Sequence, residues 1–213
     1  MNQMQHDFVG SPVAQDFGKT LGTPFKVVLC NGVKSKVDKA TGKTVLEITD
    51  LPGLICSILQ TRVTHPRKLS GDDLKFIRSS LGWKSNAVAE LLELTPEHYS
   101  RCETGVKTLS SSVERFYRMY VFLQAARKRK ALQEKALKQK KRKPSSAEVQ
   151  DATEALEAFM TVFVEMKIEY LYHAGDELEF SFIRRPRRNQ KDCGKVDHIG
   201  KWRTQPAPCA EAA

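Results

Sequence analysis

Side chains that can form directional hydrogen bonds are concentrated around residue 100. Thr95 and Pro96 predict the start of a helix there, because threonine is a favourable N-cap and proline suits the first helical position. Tyr99 is expected to face the protein interior. The exposed face of this short helix then carries four polar side chains, Glu97, His98, Ser100 and Arg101. They combine hydrogen-bond donors with acceptors, so they can recognise the polar edge of a binding partner.

A second short helix precedes this one and is joined to it by a tight turn. Residues 85–92 have helical spacing, and Ala89 is small enough to let the two helices cross closely. Leu94 is expected beneath the turn. Glu93 occupies a turn position at which glycine is common, which predicts either a strained residue in the turn or a turn of slightly different geometry. The pair is therefore expected to form a compact helix-turn-helix that ends at Gly105.

Capping signals place further helices on either side of this pair. Ser70 and Asp73 have the spacing of a capping box, and Gly82 is expected to end the helix that they begin. After the pair, Ser111 or Ser112 is expected to cap another helix. Its apolar positions are Val113, Phe116, Tyr117, Tyr120 and Leu123. Weak helical spacing beyond them allows this helix to continue into the lysine- and arginine-rich run that follows.

Two β-hairpins are expected at the ends of the chain. Residues 25–30 and 43–49 have strand character, and the polar stretch between them predicts a first hairpin with a long loop. Asp50 then predicts the N-cap of a helix that ends before Pro66, because the residue before a proline disfavours the helical conformation. Residues 167–172 and 177–183 alternate in polarity and predict a second hairpin, preceded by a helix at 147–165.

Composition and charge divide the chain into six expected segments. They are a flexible N-terminus (1–24), a β-hairpin and helix (25–65), a helix-turn-helix domain (66–126), a basic helical linker (127–143), an acidic helix and hairpin module (144–183) and a basic disordered tail (184–213). The expected fold class is mainly α, because helical patterns dominate and the two hairpins are peripheral.

The positive charge is distributed unevenly along the chain. The formal net charge is +10, which favours a polyanionic partner. Residues 69–126 are neutral, whereas residues 127–143 contain ten basic side chains and one acidic one. Residues 144–183 are acidic and could neutralise a basic segment. Nonspecific attraction to a polyanion would therefore have to come from 127–143 or from the arm at 184–188.

Several classes of protein are disfavoured by what the sequence lacks. It has no P-loop, no nucleophile elbow, no zinc-protease motif and no dinucleotide-binding fingerprint, so we expect no enzyme and no cofactor. The five cysteines show no Cys-x-x-Cys spacing, and His65, His173 and His198 lie far apart, so no metal site is expected. Neither a secretory signal nor a membrane span is visible, and we expect a cytoplasmic, nucleoid-associated protein.

Residues 81–105 resemble the XRE/Cro-type helix-turn-helix of bacterial and phage regulators. The matching positions are Leu81, Gly82, Ala89, Leu92, Leu94, Thr95, Ser100, Arg101, Glu103 and Gly105. The preceding residues 68–82 resemble the opening helix of the MqsA/YgiT antitoxin and regulator group. The zinc-binding cysteine pairs of that group are absent, so neither zinc nor toxin binding is carried over. Ser85 also replaces a common glutamine, and Cys102 replaces an aromatic residue.

This resemblance implies a transcriptional regulator that binds double-stranded DNA, with the helix at 95–104 in the major groove. Arg101 would contact guanine, Glu97 would accept from cytosine N4, and His98 and Ser100 complete the base-contacting set. The implied phosphate contacts are Lys84, Ser85, Asn86, Thr95, Lys107 and Thr108. A homodimer on a two-fold operator, acting as a repressor, is expected because one recognition helix reads only a few base pairs.

Alternative interpretations remain open at this stage. The apolar face at 149–163 and the hairpin after it are candidates for dimerisation, yet the 144–183 module could instead bind another protein and be the principal functional element. A nonspecific architectural or RNA-binding protein, driven by the basic segments, is the other alternative. At the level of single residues, Arg101 could form a surface ion pair with Glu97 or Glu103 rather than contact a base.

Overall fold

The structure is a computed structural model that describes residues 15–37, 42, 44–139, 161–170, 177–185 and 201–205. The helices are α1 (Gly18–Leu21), α2 (Leu51–Thr64), α3 (Gly71–Leu81), α4 (Ser85–Leu91), α5 (Pro96–Glu103) and α6 (Ser111–Gln139). Residues 161–165 are also helical. The strands are β1 (Gln15–Asp16), β2 (Lys26–Leu29), β3 (Val33–Val37), β4 (Thr44–Ile48), β5 (Glu179–Arg185) and β6 (Lys201–Gln205).

The strands form two separate sheets. In the larger sheet the order is β1-β2-β5-β6, with β2 and β5 parallel and the outer pairs antiparallel. The smaller sheet is the antiparallel β3–β4 pair. The fold is thus mixed α/β. The expectation of a mainly helical chain agrees with the prevalence of helices, but the sheet is larger and more central than two peripheral hairpins would be.

Helix α2 lies at the centre of the molecule. Leu54, Ile58, Leu59 and Val63 are fully buried on it. A helix that is apolar over most of its surface has to be covered on several sides. Here α6 covers α2 along its length, and β6 packs against it as well. One continuous core joins the sheet, α2 and the surrounding helices, and it extends across the segment boundaries expected from composition.

Helix starts follow the predicted capping signals closely. The Asp50 side chain accepts a hydrogen bond from the Gly53 amide at 3.1 Å and caps α2, which ends at Thr64 before Pro66. At α3, both hydrogen bonds of the predicted capping box between Ser70 and Asp73 are present. The cap of α6 was predicted one or two positions too late, because the side chain and carbonyl that accept from its first turn belong to Ser110.

Buried ion pairs connect α2, α3 and α6. Arg62 on α2 contacts Asp73 on α3 through two hydrogen bonds of 2.8 and 2.7 Å. Glu114 on α6 is fully buried and accepts from Arg118 at 2.8 Å and from Lys68 at 2.9 Å. Such charges are tolerated in a core only when they are paired and hydrogen-bonded. The network therefore determines how α3, and everything that packs on it, is oriented against α6.

The first predicted hairpin is wrong in its pairing. Residues 25–30 do contain a strand, β2, but its neighbours are β1 and β5. The partner of β4 is β3, Val33–Val37, which the sequence interpretation placed in the loop. Backbone pairing is decided by which strand edges meet in the folded chain, and β2 uses both of its edges within the larger sheet.

The second predicted hairpin is also wrong. Both edges of β5 are occupied, one by β2 and the other by β6, so no edge remains for residues 167–170. These residues run beside the α2–α3 connection instead: the Lys68 amide donates to the Glu169 carbonyl at 2.9 Å, and the Glu169 amide donates to Pro66 at 3.0 Å. Residues 171–176, which comprise the end of the predicted strand and the predicted turn at 173–176, lie outside the described residues.

Parts of both termini are ordered where disorder was predicted. Residues 201–205 form β6, and Trp202 is only 3% exposed, with its indole N–H donating to the Thr49 carbonyl at 3.2 Å. At the other end, Phe17 is buried between β1 and α1. Burial of a large aromatic side chain offsets the conformational entropy that is lost when such a short segment becomes ordered. The other residues of the predicted tail from 186 onward, and residues 1–14, lie outside the described residues.

The long helix α6 confirms the predicted continuation into the basic run. It contains 29 residues and extends to Gln139. Residues 140–143 lie outside the described residues, as does the greater part of the helix predicted at 147–165, of which 161–165 are helical. Between Arg127 and Lys135, α6 exposes five charged side chains, Arg127, Lys128, Lys130, Glu134 and Lys135.

Candidate nucleic-acid interface

Helices α4 and α5 are joined by a three-residue turn and an N-cap residue. Val88 and Ala89 are buried at the crossing of the two helices, and the Ala89 carbonyl accepts from the Leu94 amide at 2.9 Å. Glu93 has φ of 55°, in the left-handed region that favours glycine. The strained residue, one of the two predicted alternatives, is thus confirmed. Within this turn the Glu93 amide donates to the Glu90 carbonyl at 3.1 Å.

The start of α5 is formed as predicted. Thr95 is its N-cap, the hydroxyl accepts from the His98 amide at 3.2 Å, and Pro96 is the first helical residue. Tyr99 and Cys102 are buried beneath the helix. In the XRE/Cro-type motif that this segment resembles, an aromatic side chain occupies the position of Cys102. Here Cys102 is a small buried packing residue. Two buried positions three residues apart leave the opposite face of α5 to solvent.

The four predicted base-contacting residues lie on that outer face or beside it. Glu97, Ser100 and Arg101 are exposed, whereas His98 is half-buried. Neither Glu97 nor Arg101 forms an ion pair with another described residue. The alternative in which Arg101 pairs with Glu97 or Glu103 is therefore not realised in the described part of the chain.

Glu103 has a different partner, which connects α5 to α3. Its carboxylate accepts from Arg78 through two hydrogen bonds, at 2.6 and 3.3 Å, and Arg78 also donates to the Trp83 carbonyl at 3.2 Å. The hydrogen bond to Glu103 raises the pKa of Arg78 above its ordinary value. A bidentate pair of this kind restricts rotation as well as distance, so it determines the direction in which α5 projects.

The first residue of α3 allows the end of α5 to approach closely. A Cβ atom at Gly71 would lie 2.5 Å from the Glu103 carbonyl oxygen and 2.7 Å from that of Cys102. Both are backbone atoms, so neither can move without displacing the helix. Glycine at this position is therefore a steric requirement of the α3–α5 contact, and it has nothing to do with a turn.

Aromatic side chains support α5 from behind. Tyr99 on α5 and Tyr117 on α6 are both fully buried, and burial raises the pKa of each phenol above its ordinary value. Trp83, at the start of the α4 segment, packs against Tyr120 of α6 with ring centroids 5.5 Å apart. Helices α4 and α5 are thus held on a rigid surface formed by α3 and α6.

The predicted phosphate-contacting residues surround the ends of α4 and α5. Their exposed members are Lys84, Asn86, Thr95, Lys107 and Thr108, and Ser85 is half-buried. Lys84 is the N-cap residue of α4 and makes no side-chain capping bond. Lys107 is attached to α5 through its amide, which donates to the Arg101 carbonyl at 3.0 Å. Together they form a polar rim around the outer face of α5.

Sequence reasoning missed the residues that orient the site. Gly71 and Arg78 were assigned only to a preceding helix, and Trp83 received no role. Glu103 was among the residues that carry the family resemblance, but its partner Arg78 is 25 positions earlier in the chain. The one available signal was that helical spacing places both Arg78 and Glu103 on inward-facing positions, where each charge requires a partner.

Metal-ligating groups and membrane-spanning helices are both absent from the described residues. They contain no group of three or more histidine, cysteine, aspartate or glutamate side chains that could hold a metal ion. Among the helices that the structure describes, none is long and apolar enough to cross a membrane.

Comparison with protein-family models, with curated proteins and with solved structures finds no match for this chain.

Proposed function

We propose that this chain is a sequence-specific, DNA-binding transcriptional regulator of the XRE type, with α4 and α5 as its helix-turn-helix. The observation that carries the proposal is the outer face of α5. It presents Glu97, Ser100 and Arg101 to solvent without ion-pair partners among the described residues, on a helix that is fixed from behind by Arg78 and Tyr99. A preorganised, polar and unpaired helix face suits the edges of bases in the major groove.

Each side chain has a chemical role in this proposal. The guanidinium of Arg101 donates to O6 and N7 of guanine, and Glu97 accepts from N4 of cytosine. His98 and Ser100 add hydrogen bonds to a base edge or a phosphate. The rim residues fix the register of the protein on the backbone: Lys84, Ser85 and Asn86 at α4, Thr95 at the start of α5, and Lys107 and Thr108 after it.

A homodimer on a two-fold operator is part of the proposal, since one recognition helix reads only a few base pairs. The dimerisation surface predicted from sequence needs revision. Phe163 and Phe182 are buried within their own chain, so they are not available to a second copy. The exposed apolar side chains nearby are Val162, Val164 and Tyr170, and these are the better candidates.

The same side chains support a second candidate function. Val164 is 73% exposed and Tyr170 is 52% exposed, in a segment that is acidic as a whole. Apolar side chains surrounded by charge are typical of protein-binding surfaces. In this alternative, residues 144–183 bind another protein and DNA binding by α5 is secondary.

The test begins with the selection of preferred duplexes from a random-sequence pool by the wild-type protein. Dissociation constants are then measured by fluorescence anisotropy for the selected duplex and for a scrambled one, at about 150 mM salt. We expect wild type to prefer the selected duplex by about 10³-fold or more. Arg101→Ala should reduce that preference by about 5- to 150-fold, which corresponds to about 1–3 kcal/mol for one base contact.

The matched control is Arg115→Ala, because Arg115 is an exposed arginine on α6 that forms no ion pair or side-chain hydrogen bond with the described residues. It removes the same charge and should leave the preference unchanged. Equal affinity of wild type for both duplexes would contradict specific recognition and favour a nonspecific nucleic-acid-binding protein. If no duplex is bound, the protein-binding candidate at 144–183 becomes the better explanation.

A further inference from the structure

The surface that reads bases in the proposed function lacks the charge that would attract DNA. Residues 69–126 contain seven basic and seven acidic side chains. Phosphate contacts dominate the affinity of most DNA-binding proteins, so a neutral reading domain needs a source of positive charge nearby. The basic half of α6, residues 127–139, contains enough positive charge. It can serve α4 and α5 only if the fold places it beside them.

Two contacts place α6 against the turn between α3 and α4. The Lys128 ammonium donates to the Ser80 carbonyl at 3.1 Å, near the end of α3. Two helical turns earlier on α6, Tyr120 packs on Trp83. The residue after Trp83 is Lys84, the N-cap of α4 and one of the predicted phosphate contacts. The basic half of α6 therefore begins next to the rim of the proposed interface.

Helix geometry shows which basic residues share this side of α6. Residues seven positions apart lie on nearly the same face, about 10 Å apart along the axis. Arg127 is seven residues after Tyr120, and Lys135 is seven residues after Lys128. Arg127 and Lys135 are both exposed, and their side chains form no hydrogen bond or ion pair with a described residue.

Not every cation in the run is available to a partner. Arg129 faces the interior, where it donates to the Ser57 hydroxyl, and burial lowers the pKa of its guanidinium. Among the described residues of the run, Arg129 anchors α6 to α2, whereas Lys128 contacts the end of α3.

We propose that Arg127, Lys128 and Lys135 form a basic ridge that continues from the start of α4 and binds the phosphate backbone of double-stranded DNA flanking the bases read by α5. The proposal rests on the proposed function for the identity of the reading helix. It assigns affinity to the ridge and sequence preference to α5. Charge complementarity selects the occupant, since none of the three cations forms an ion pair with a described carboxylate and a regularly spaced polyanion can supply the counter-charge.

The test measures nonspecific binding, so it does not require a known operator. The full-length protein is titrated with a scrambled duplex of about 30 base pairs, long enough for two half-sites one helical turn apart. Salt is varied from about 50 to 200 mM, and the slope of log K against log salt is determined. The ridge variant is Arg127→Gln/Lys135→Gln, which leaves the structural contact of Lys128 with Ser80 intact.

Loss of two phosphate contacts per protomer should make the slope shallower by about 1.8 for each bound protomer and weaken binding at low salt by roughly tenfold or more. The matched control is Lys19→Gln/Arg203→Gln, which removes one lysine and one arginine from exposed positions on α1 and β6. It should keep the wild-type slope. The variant Arg127→Lys/Lys135→Arg keeps the charge and should also keep the slope, which excludes a misfolding effect.

An unchanged slope in the ridge variant would overturn the proposal, and so would an equal change in the control. Neutralisation of the ridge by the acidic segment 144–183 of the same chain would produce the first of these results. Failure of the proposed function looks different, because it abolishes the preference for a selected duplex and leaves the slope as it was. Ridge variants should weaken binding to selected and scrambled duplexes by the same factor.

Discussion

The outer face of α5 and the basic half of α6 differ in how each is held and in what each can recognise. The α5 face is short, close to neutral and fixed from behind by a bidentate ion pair, a glycine contact and buried aromatic side chains. The basic half of α6 is an extension of a long helix whose charged side chains mostly face solvent. The α5 face has fixed side-chain positions and little net charge. The basic half of α6 has high positive charge, and few contacts fix its side chains.

This difference indicates a division of function. Reading a base requires donors and acceptors within a few tenths of an ångström of their positions, which only a well-packed helix can provide. Attraction to phosphate requires charge at approximately the correct distance, and a solvated helix face is sufficient for that. Substitutions should therefore affect preference or overall affinity separately, unless they disturb the contacts that hold the two regions together.

The largest expected effect comes from breaking the connection between the regions at Glu114. Its carboxylate is fully buried and compensates both Arg118 and Lys68. Glu114→Gln leaves these cations without a counter-charge in the core, and we expect the free energy of unfolding to fall by about 3–5 kcal/mol. Urea denaturation measures this, with Glu90→Gln, an exposed glutamate on α4, as the control. A change below 1 kcal/mol, the level of a surface pair, would contradict the inferred role of the network.

A substitution at Gly71 should affect the α5 face and leave the basic half of α6 unaffected. Gly71→Ala places a Cβ atom against the backbone at the end of α5, so α5 must shift, at a cost of about 1–3 kcal/mol in the free energy of unfolding. We expect preference for a selected duplex to fall while the salt slope stays as in wild type. Anisotropy titrations of both duplexes test this, with Ser112→Ala at an exposed position of α6 as the control. Unchanged preference would show that the position of α5 does not depend on this contact.

The smallest effect concerns the turn between α4 and α5. Glu93 has a positive φ, so Glu93→Gly should remove strain and raise the free energy of unfolding by about 0.5–1 kcal/mol. Thermal and urea denaturation measure the change. Since Glu93 belongs to neither proposed contact surface, preference and salt slope should both remain at wild-type values. A drop in stability would mean that the Glu93 side chain makes a compensating interaction.

Local signals allowed the helices to be predicted well. The caps at Asp50, Ser70 and Thr95 and the glycine at the end of α3 are short-range features, because each involves residues within four positions of one another. The outward placement of Glu97, Ser100 and Arg101 follows from helical periodicity once the start of α5 is known. The candidate site could therefore be outlined from the sequence as a set of residues on one helix.

The sheets could not be predicted in the same way. Strand character at 25–30 and 177–183 is visible in the sequence, but the pairing of β2 with β5 joins residues more than 150 positions apart. Adjacent strands were paired with each other in the prediction because hairpins are the commonest arrangement. The burial of Trp202 shows the same difficulty, since nothing near it in the sequence indicates that α2 and the β3–β4 pair would cover it.

By itself, the sequence determined the starts of α2, α3 and α5, the turn position at Glu93 that favours glycine, the polar outer face of α5 and the location of positive charge along the chain. Each of these depends on backbone preferences or spacing over a few residues. Only the tertiary structure decided that Arg78 holds Glu103, that Gly71 must be glycine, that Arg129 faces inward, and that Tyr120 of α6 packs on Trp83 just before α4. Those features depend on distances between segments far apart in the chain, which are established only when the common core is packed.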